Sequence, residues 1–144
     1  MSNKKKIVEA DEKEKKLRKI LNFGHTFGHS YEATLKYSKK LNHGEAVLLG
    51  IYSASKFSLD NNLLSKNDFK MINNHLIKFN LFTKLNKKFT IRNLNKIIYF
   101  MKKDKKNNDK KINLVLLKKI GKPIFNLSFD TKKLHYFILN QLIN

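Results

Sequence analysis

Histidine is scarce in this chain, and its placement is uneven. His25, His29 and His43 are three of only five histidines in 144 residues. Neutral imidazoles on adjacent elements are standard zinc ligands, and a catalytic zinc keeps three protein ligands and one open position. The His25–His29 spacing of four and the following His43 therefore point to a metal site. Spacing alone leaves open which two or three of them bind. More polar groups join this row. On a helical wheel of about 100° per residue with Glu14 at 0°, Arg18 falls at about 40°, Asn22 at about 80° and His25 at about 20°. His29 falls at about 60° and Glu32 at about 0°, so all six share an arc of about 80°.

The opposite side of that wheel carries Leu17, Ile20, Leu21, Phe23, Phe27 and Tyr31, together with Gly24 and Gly28. Each glycine inside a helix costs about 1 kcal/mol relative to Ala. That cost is explained if another backbone packs close against this face. A row of solvated polar residues is the simpler reading of the Glu14–Glu32 arc. It gives no reason for the two glycines, and surface faces elsewhere in the chain are built from Lys and Asn. A functional face is the better account.

The pattern predicts a helix from Asp11 to Tyr37 and a second from Asn42 to Asn61. Asn42 and Glu45 have the spacing of a capping box at its start. The body of this second helix, AVLLGIYSA, is apolar on nearly all sides, which predicts a central, buried helix. Further helices are predicted for Ser65–Phe79 and Thr90–Lys103. The polar run DKKNNDKK then reads as a loop. Ile112–Leu117 and Pro123–Leu127 read as the strands of a hairpin turning through KKIGK. A last helix runs over Thr131–Ile143 with Asp130 as its cap. The fold class is mainly α with one small β-hairpin, and residues 1–144 read as a single domain.

Composition narrows the function. The formal net charge is +20, which invites a nucleic-acid reading. Yet the cations are 29 Lys and 2 Arg, beside 18 Asn and 4 Ala. Arg is the residue that reads bases and forks onto phosphates. A Lys/Asn-rich, Arg/Ala-poor balance is what an AT-rich genome imposes on any protein, so no specific nucleic-acid partner is expected. The absence of Cys excludes thiolate catalysis and Cys-ligated metal. No apolar run reaches membrane-span length, and no apolar segment follows the first lysines as a secretory signal requires. A cytoplasmic protein without a membrane partner is expected.

The stretches LRKILNFGHTFGHSYEA (Leu17–Ala33) and LNHGEAVLLG (Leu41–Gly50) resemble 3-dehydroquinate synthase, of the sugar-phosphate cyclase superfamily. The lead-in DEKEKKLR, and MKKDKKN with INLVLLKKIGK, resemble the same family in the same order. The resemblance implies that His25 and His43 are zinc (or cobalt) ligands, with the third ligand outside this chain. It places His29 beside the substrate, Arg18 and Asn22 in contact with it, and Glu14 in the active site. Lys105 corresponds to a lysine that contacts the substrate's charged groups. A further substrate lysine falls on Lys4, within the run Lys4-Lys5-Lys6. Glu32 and Glu45 are in-chain carboxylates that could complete the metal site, although neither matches the family's ligand.

In that family the substrate is 3-deoxy-D-arabino-heptulosonate 7-phosphate, and the products are 3-dehydroquinate and phosphate, a step of aromatic amino acid biosynthesis by the shikimate pathway. NAD serves as a transient oxidant, held by an N-terminal Rossmann-type domain. This chain begins after that domain, and its five glycines form no GxGxxG. The resemblance therefore implies the multihelical C-terminal half of the enzyme, paired with an NAD-binding half in cis or in trans. It also implies a homodimer of the complete enzyme. Another sugar-phosphate cyclase, a metal-dependent polyol dehydrogenase and a folded remnant without activity are the alternative readings, with a basic nucleic-acid-binding module as the rival from a different class.

Overall fold

The computed structural model describes residues 23–36, 39–78, 84–103 and 110–144. Among the described residues, five helices and one hairpin follow each other in the order α1 (His25–Thr34), α2 (His43–Asp60), α3 (Lys66–Lys78), α4 (Leu94–Lys102), β1 (Lys111–Lys119), β2 (Lys122–Asp130) and α5 (Thr131–Ile143). Two short 3-10 turns, Leu85–Lys87 and Ile91–Asn93, lie between α3 and α4. This is the mainly helical, single-hairpin architecture that the sequence pattern predicts.

The predicted helix from Asp11 to Tyr37 needs correction at both described positions where it can be read. Gly24 is the N-cap of α1 and adopts φ 75°, ψ −4°. That left-handed backbone ends any continuous right-handed helix, and only glycine takes it without a Cβ penalty. At the other end α1 stops at Thr34, and Lys36 turns the chain with φ 56°. Helical geometry therefore supports the wheel from His25 onward and not across Gly24.

The central helix is as predicted. The Asn42 carboxamide accepts from the Glu45 amide at 2.8 Å, and the Asn42 amide donates back to Glu45 Oε1 at 3.4 Å. The two bonds satisfy amides that the first turn would otherwise leave orphaned. Along α2 the buried residues include Ala46, Leu49, Gly50, Ala54 and Phe57, with Ser53, Ser55 and Ser58 among them. Burying three hydroxyls is tolerable because each is bonded. Ser55 donates to the Ile51 carbonyl at 2.7 Å and Ser58 to the Ala54 carbonyl at 2.7 Å. Ser58 Oγ also accepts from the Leu117 amide at 3.1 Å, which ties β1 onto α2.

The remaining elements close the core. The hairpin pairs antiparallel from Lys111↔Asp130 to Lys119↔Lys122, turning at Ile120 and Gly121. Asp130 accepts from the Lys132 amide at 3.0 Å and so caps α5 as expected. The predicted fourth helix, Thr90–Lys103, opens as the 3-10 turn Ile91–Asn93 before continuing as α4. Here Asn93 accepts from the Thr90 amide at 2.9 Å. Aromatic rings from four elements meet at Phe57. Its ring lies 4.8 Å from Phe129 and 5.1 Å from Phe137, both edge-on, and 6.3 Å from Phe27. Edge-to-face packing at such separations adds about 1 kcal/mol per pair beyond area burial.

Candidate functional site

The site is built on the crossing of α1 and α2, and glycine sets how close the two come. A Cβ on Gly24 would lie 2.7 Å from the Gly50 carbonyl carbon and 2.7 Å from the Ile51 nitrogen. On Gly28 it would lie 2.9 Å from the Ala46 carbonyl oxygen. On Gly50 it would lie 2.8 Å from the Gly28 nitrogen. Real Cβ atoms do not approach backbone so closely, so the two helices touch main chain to main chain. This is the close backbone approach that the glycines of the sequence imply, and the partner is α2. One hydrogen bond pins the same crossing. The buried Tyr31 hydroxyl and the Ser53 hydroxyl are 2.5 Å apart. Burial pushes the Tyr31 phenol well above its ordinary range, and the Ser53 bond offsets this only partly, so Tyr31 stays a neutral hydroxyl.

With the crossing fixed, α1 turns its other face outward. Phe27, Gly28, Ser30, Tyr31 and Thr34 are buried, while His25 and His29 are exposed and Glu32 is partly so. The imidazoles of His25 and His29 stand 4.1 Å apart between ring centres, tilted by 38°. His43, the first residue of α2, meets this face from the facing helix. Its Nδ1 lies 2.6 Å from Glu32 Oε1. His25, His29, Glu32 and His43 line one small cleft, with Phe23 and Val47 on its apolar side.

Among the residues singled out in the sequence, His25, His29 and His43 are thus brought together. Glu45 is not. Its side chain serves the Asn42 cap, stands 3.5 Å from Lys88 Nζ and does not line the cleft of the three histidines. Lys4, Glu14, Arg18, Asn22 and Lys105 lie outside the described residues. Phe23 and Val47 carry no chemical signal in the sequence. Glu32 does, as the third polar position on the α1 face.

The donor chemistry fits a divalent transition metal in kind, since imidazole nitrogen and carboxylate oxygen are its ordinary ligands. In number it is incomplete. Among the described residues no three His, Asp or Glu side chains form a group that could hold a metal ion. No described helix is long and apolar enough to cross a membrane.

Comparison with known proteins adds identity to this geometry. Residues 1–107 match the family model described as 3-dehydroquinate synthase C-terminal. The 3-dehydroquinate synthase of Pelagibacter ubique (strain HTCC1062) is 60% identical over 139 residues, which is 96% of this chain and 38% of that protein. That of Endomicrobium trichonymphae is 44% identical over 126 residues, covering 85% of this chain and 33% of the relative. The chain therefore spans well under half the length of the curated relatives it matches. A crystal structure of 2-deoxy-scyllo-inosose synthase complexed with carbaglucose-6-phosphate, NAD+ and Co2+ is similar in fold. Its TM-score is 0.68 at 22% identity, over 83% of this chain and 34% of that one.

Proposed function

This chain belongs to the 3-dehydroquinate synthase C-terminal family, and from that premise we propose that residues 1–144 are the metal- and substrate-binding half of a 3-dehydroquinate synthase. The reaction is conversion of 3-deoxy-D-arabino-heptulosonate 7-phosphate to 3-dehydroquinate and phosphate, in the shikimate pathway of the cytoplasm. An N-terminal half holds NAD, in cis or in trans, and the complete enzyme is a homodimer. The observation that carries this reading is the convergence of His25, His29 and His43 on one cleft, from the two stretches most similar to the family.

In this reading His25 and His43 hold zinc or cobalt, and a further ligand comes from beyond the chain. A bound divalent metal supplies Lewis-acid polarisation of a substrate hydroxyl, and NAD supplies the transient oxidising equivalent. The chain's own residues bind and orient. His29, one turn from His25, lines the same cleft and offers an imidazole for proton transfer at the substrate. Arg18 and Lys105, with Lys4, neutralise the carboxylate and phosphate of the substrate. Asn22 donates to or accepts from its hydroxyls, and Glu14 completes the polar lining. Phe23 and Val47 limit water on one side of the cleft.

The test is complementation. The folded chain is mixed with the NAD-binding half of a family member, NAD, Zn2+ and the heptulosonate phosphate. Phosphate release that requires both halves is the expected result. No release from two folded, associating halves overturns the proposal. His25→Ala in the same mixture is expected to remove both zinc retention and phosphate release, and unchanged zinc content refutes its assignment as a ligand.

A further inference from the structure

We propose that Glu32 is a positioning residue for His43. Its carboxylate accepts the hydrogen bond from Nδ1–H of the imidazole, which would leave Nε2 as the nitrogen for the metal. The inference rests on the reading of His43 as a metal ligand and adds a role for a carboxylate outside the set of substrate-contacting and ligating residues assigned above.

Distance decides between this role and direct ligation. Two donor atoms on one tetrahedral zinc, each at about 2.0–2.1 Å, stand about 3.3 Å apart. Glu32 Oε1 and His43 Nδ1 are 2.6 Å apart, which is the length of a hydrogen bond with a proton between them. These two atoms therefore do not share a metal. With Nδ1 donating, Nε2 is the nitrogen that carries the lone pair.

Burial gives the pair a direction. The Glu32 side chain is 12% exposed and that of His43 is 71% exposed. The carboxylate is the fixed member, wedged between α1 and α2, and the imidazole is the member that reaches outward. A nearly buried carboxylate is costly without a donor, so the bond holds both groups. The backbone supports it from both sides. Glu32 rides on α1, whose approach to α2 is set by Gly24, Gly28 and Gly50. His43 follows Asn42, which the capping box anchors. Outer carboxylates of this kind orient ligating imidazoles, and their loss typically weakens metal binding about 10- to 100-fold.

Two readouts on the full chain test the proposal. The first is the tautomer of His43, read from long-range nitrogen–proton correlations of the imidazole at a pH of about 8.5, where an ordinary imidazole is neutral. The wild-type chain is expected to show the proton on Nδ1, and Glu32→Ala to shift it to Nε2. The second is Zn2+ affinity, measured by competition with a zinc-chelating indicator. Glu32→Ala is expected to lower it about 10- to 100-fold. Glu32→Gln keeps a neutral acceptor of the same shape and is expected to keep the tautomer and recover part of the affinity. This variant carries the test if Glu32→Ala does not fold. His43→Ala separates the two layers of the argument. Zinc affinity unchanged in His43→Ala overturns the ligand reading and, with it, the role of Glu32. Affinity lost in His43→Ala, but wild-type affinity and tautomer in both Glu32 variants, overturns the positioning role alone.

Discussion

Two helices of this protein meet its core in opposite ways. α2 is central, touches α1 backbone to backbone, and buries glycine, alanine and bonded serines as well as Leu49 and Phe57. α3 lies on the surface and buries only Leu76, leaving Met71 and Ile77 more than half exposed. α2 carries His43, and α3 carries no residue of the cleft. The difference teaches that the site depends on backbone distance more than on hydrophobic content. Two imidazoles on different helices converge only if the helices cross at a fixed separation, and small residues fix it by leaving nothing that can yield. A helix held by one buried leucine, the Phe69–Tyr52 ring contact and a surface hydrogen bond from the Ile120 amide to Asp68 can shift with little consequence for the cleft.

The sharpest way to break that contrast is Gly50→Ala. The new methyl would meet the main chain of α1, so chemical denaturation is expected to show a loss of about 3 kcal/mol. The His25–His29 and His43–Glu32 contacts should be lost with it. Leu76→Ala removes the anchor of α3 and is expected to cost about 2 kcal/mol, while zinc retention by the chain stays unchanged. A comparable loss of zinc would erase the distinction between the two helices. Tyr31→Phe leaves the Ser53 hydroxyl buried with one partner fewer, for an expected loss of about 1 kcal/mol by the same measurement. Met71→Lys, at a position 63% exposed, should change stability by less than about 0.5 kcal/mol. A larger effect would mean that α3 contributes through a face that the described packing does not explain.

Local signals were legible because local physics sets them. The Asn42–Glu45 box, the Asp130 cap, the hairpin and the exposed row His25, His29 and Glu32 each follow from residues within about two turns of one another. Gly24 shows where the pattern misled. Its wheel position suits a packed helical face, but its backbone is left-handed, and a periodicity count does not sense φ. The Thr90 segment misled in the same way, since a 3-10 turn and an α-helix share nearly the same apolar spacing over one turn.

What the sequence alone determined is the inventory: the kinds of donor, their order, the helices that carry them, and a likeness strong enough to point to the family. Tertiary structure decided the pairings. That Gly24 and Gly28 pack on Gly50, that Tyr31 meets Ser53, and that Glu32 holds His43 are relations between residues eleven to twenty-six positions apart. No helical or strand period links such positions. They are joined only when α1 and α2 cross, and the crossing is set by which side chains are small enough to let two backbones touch.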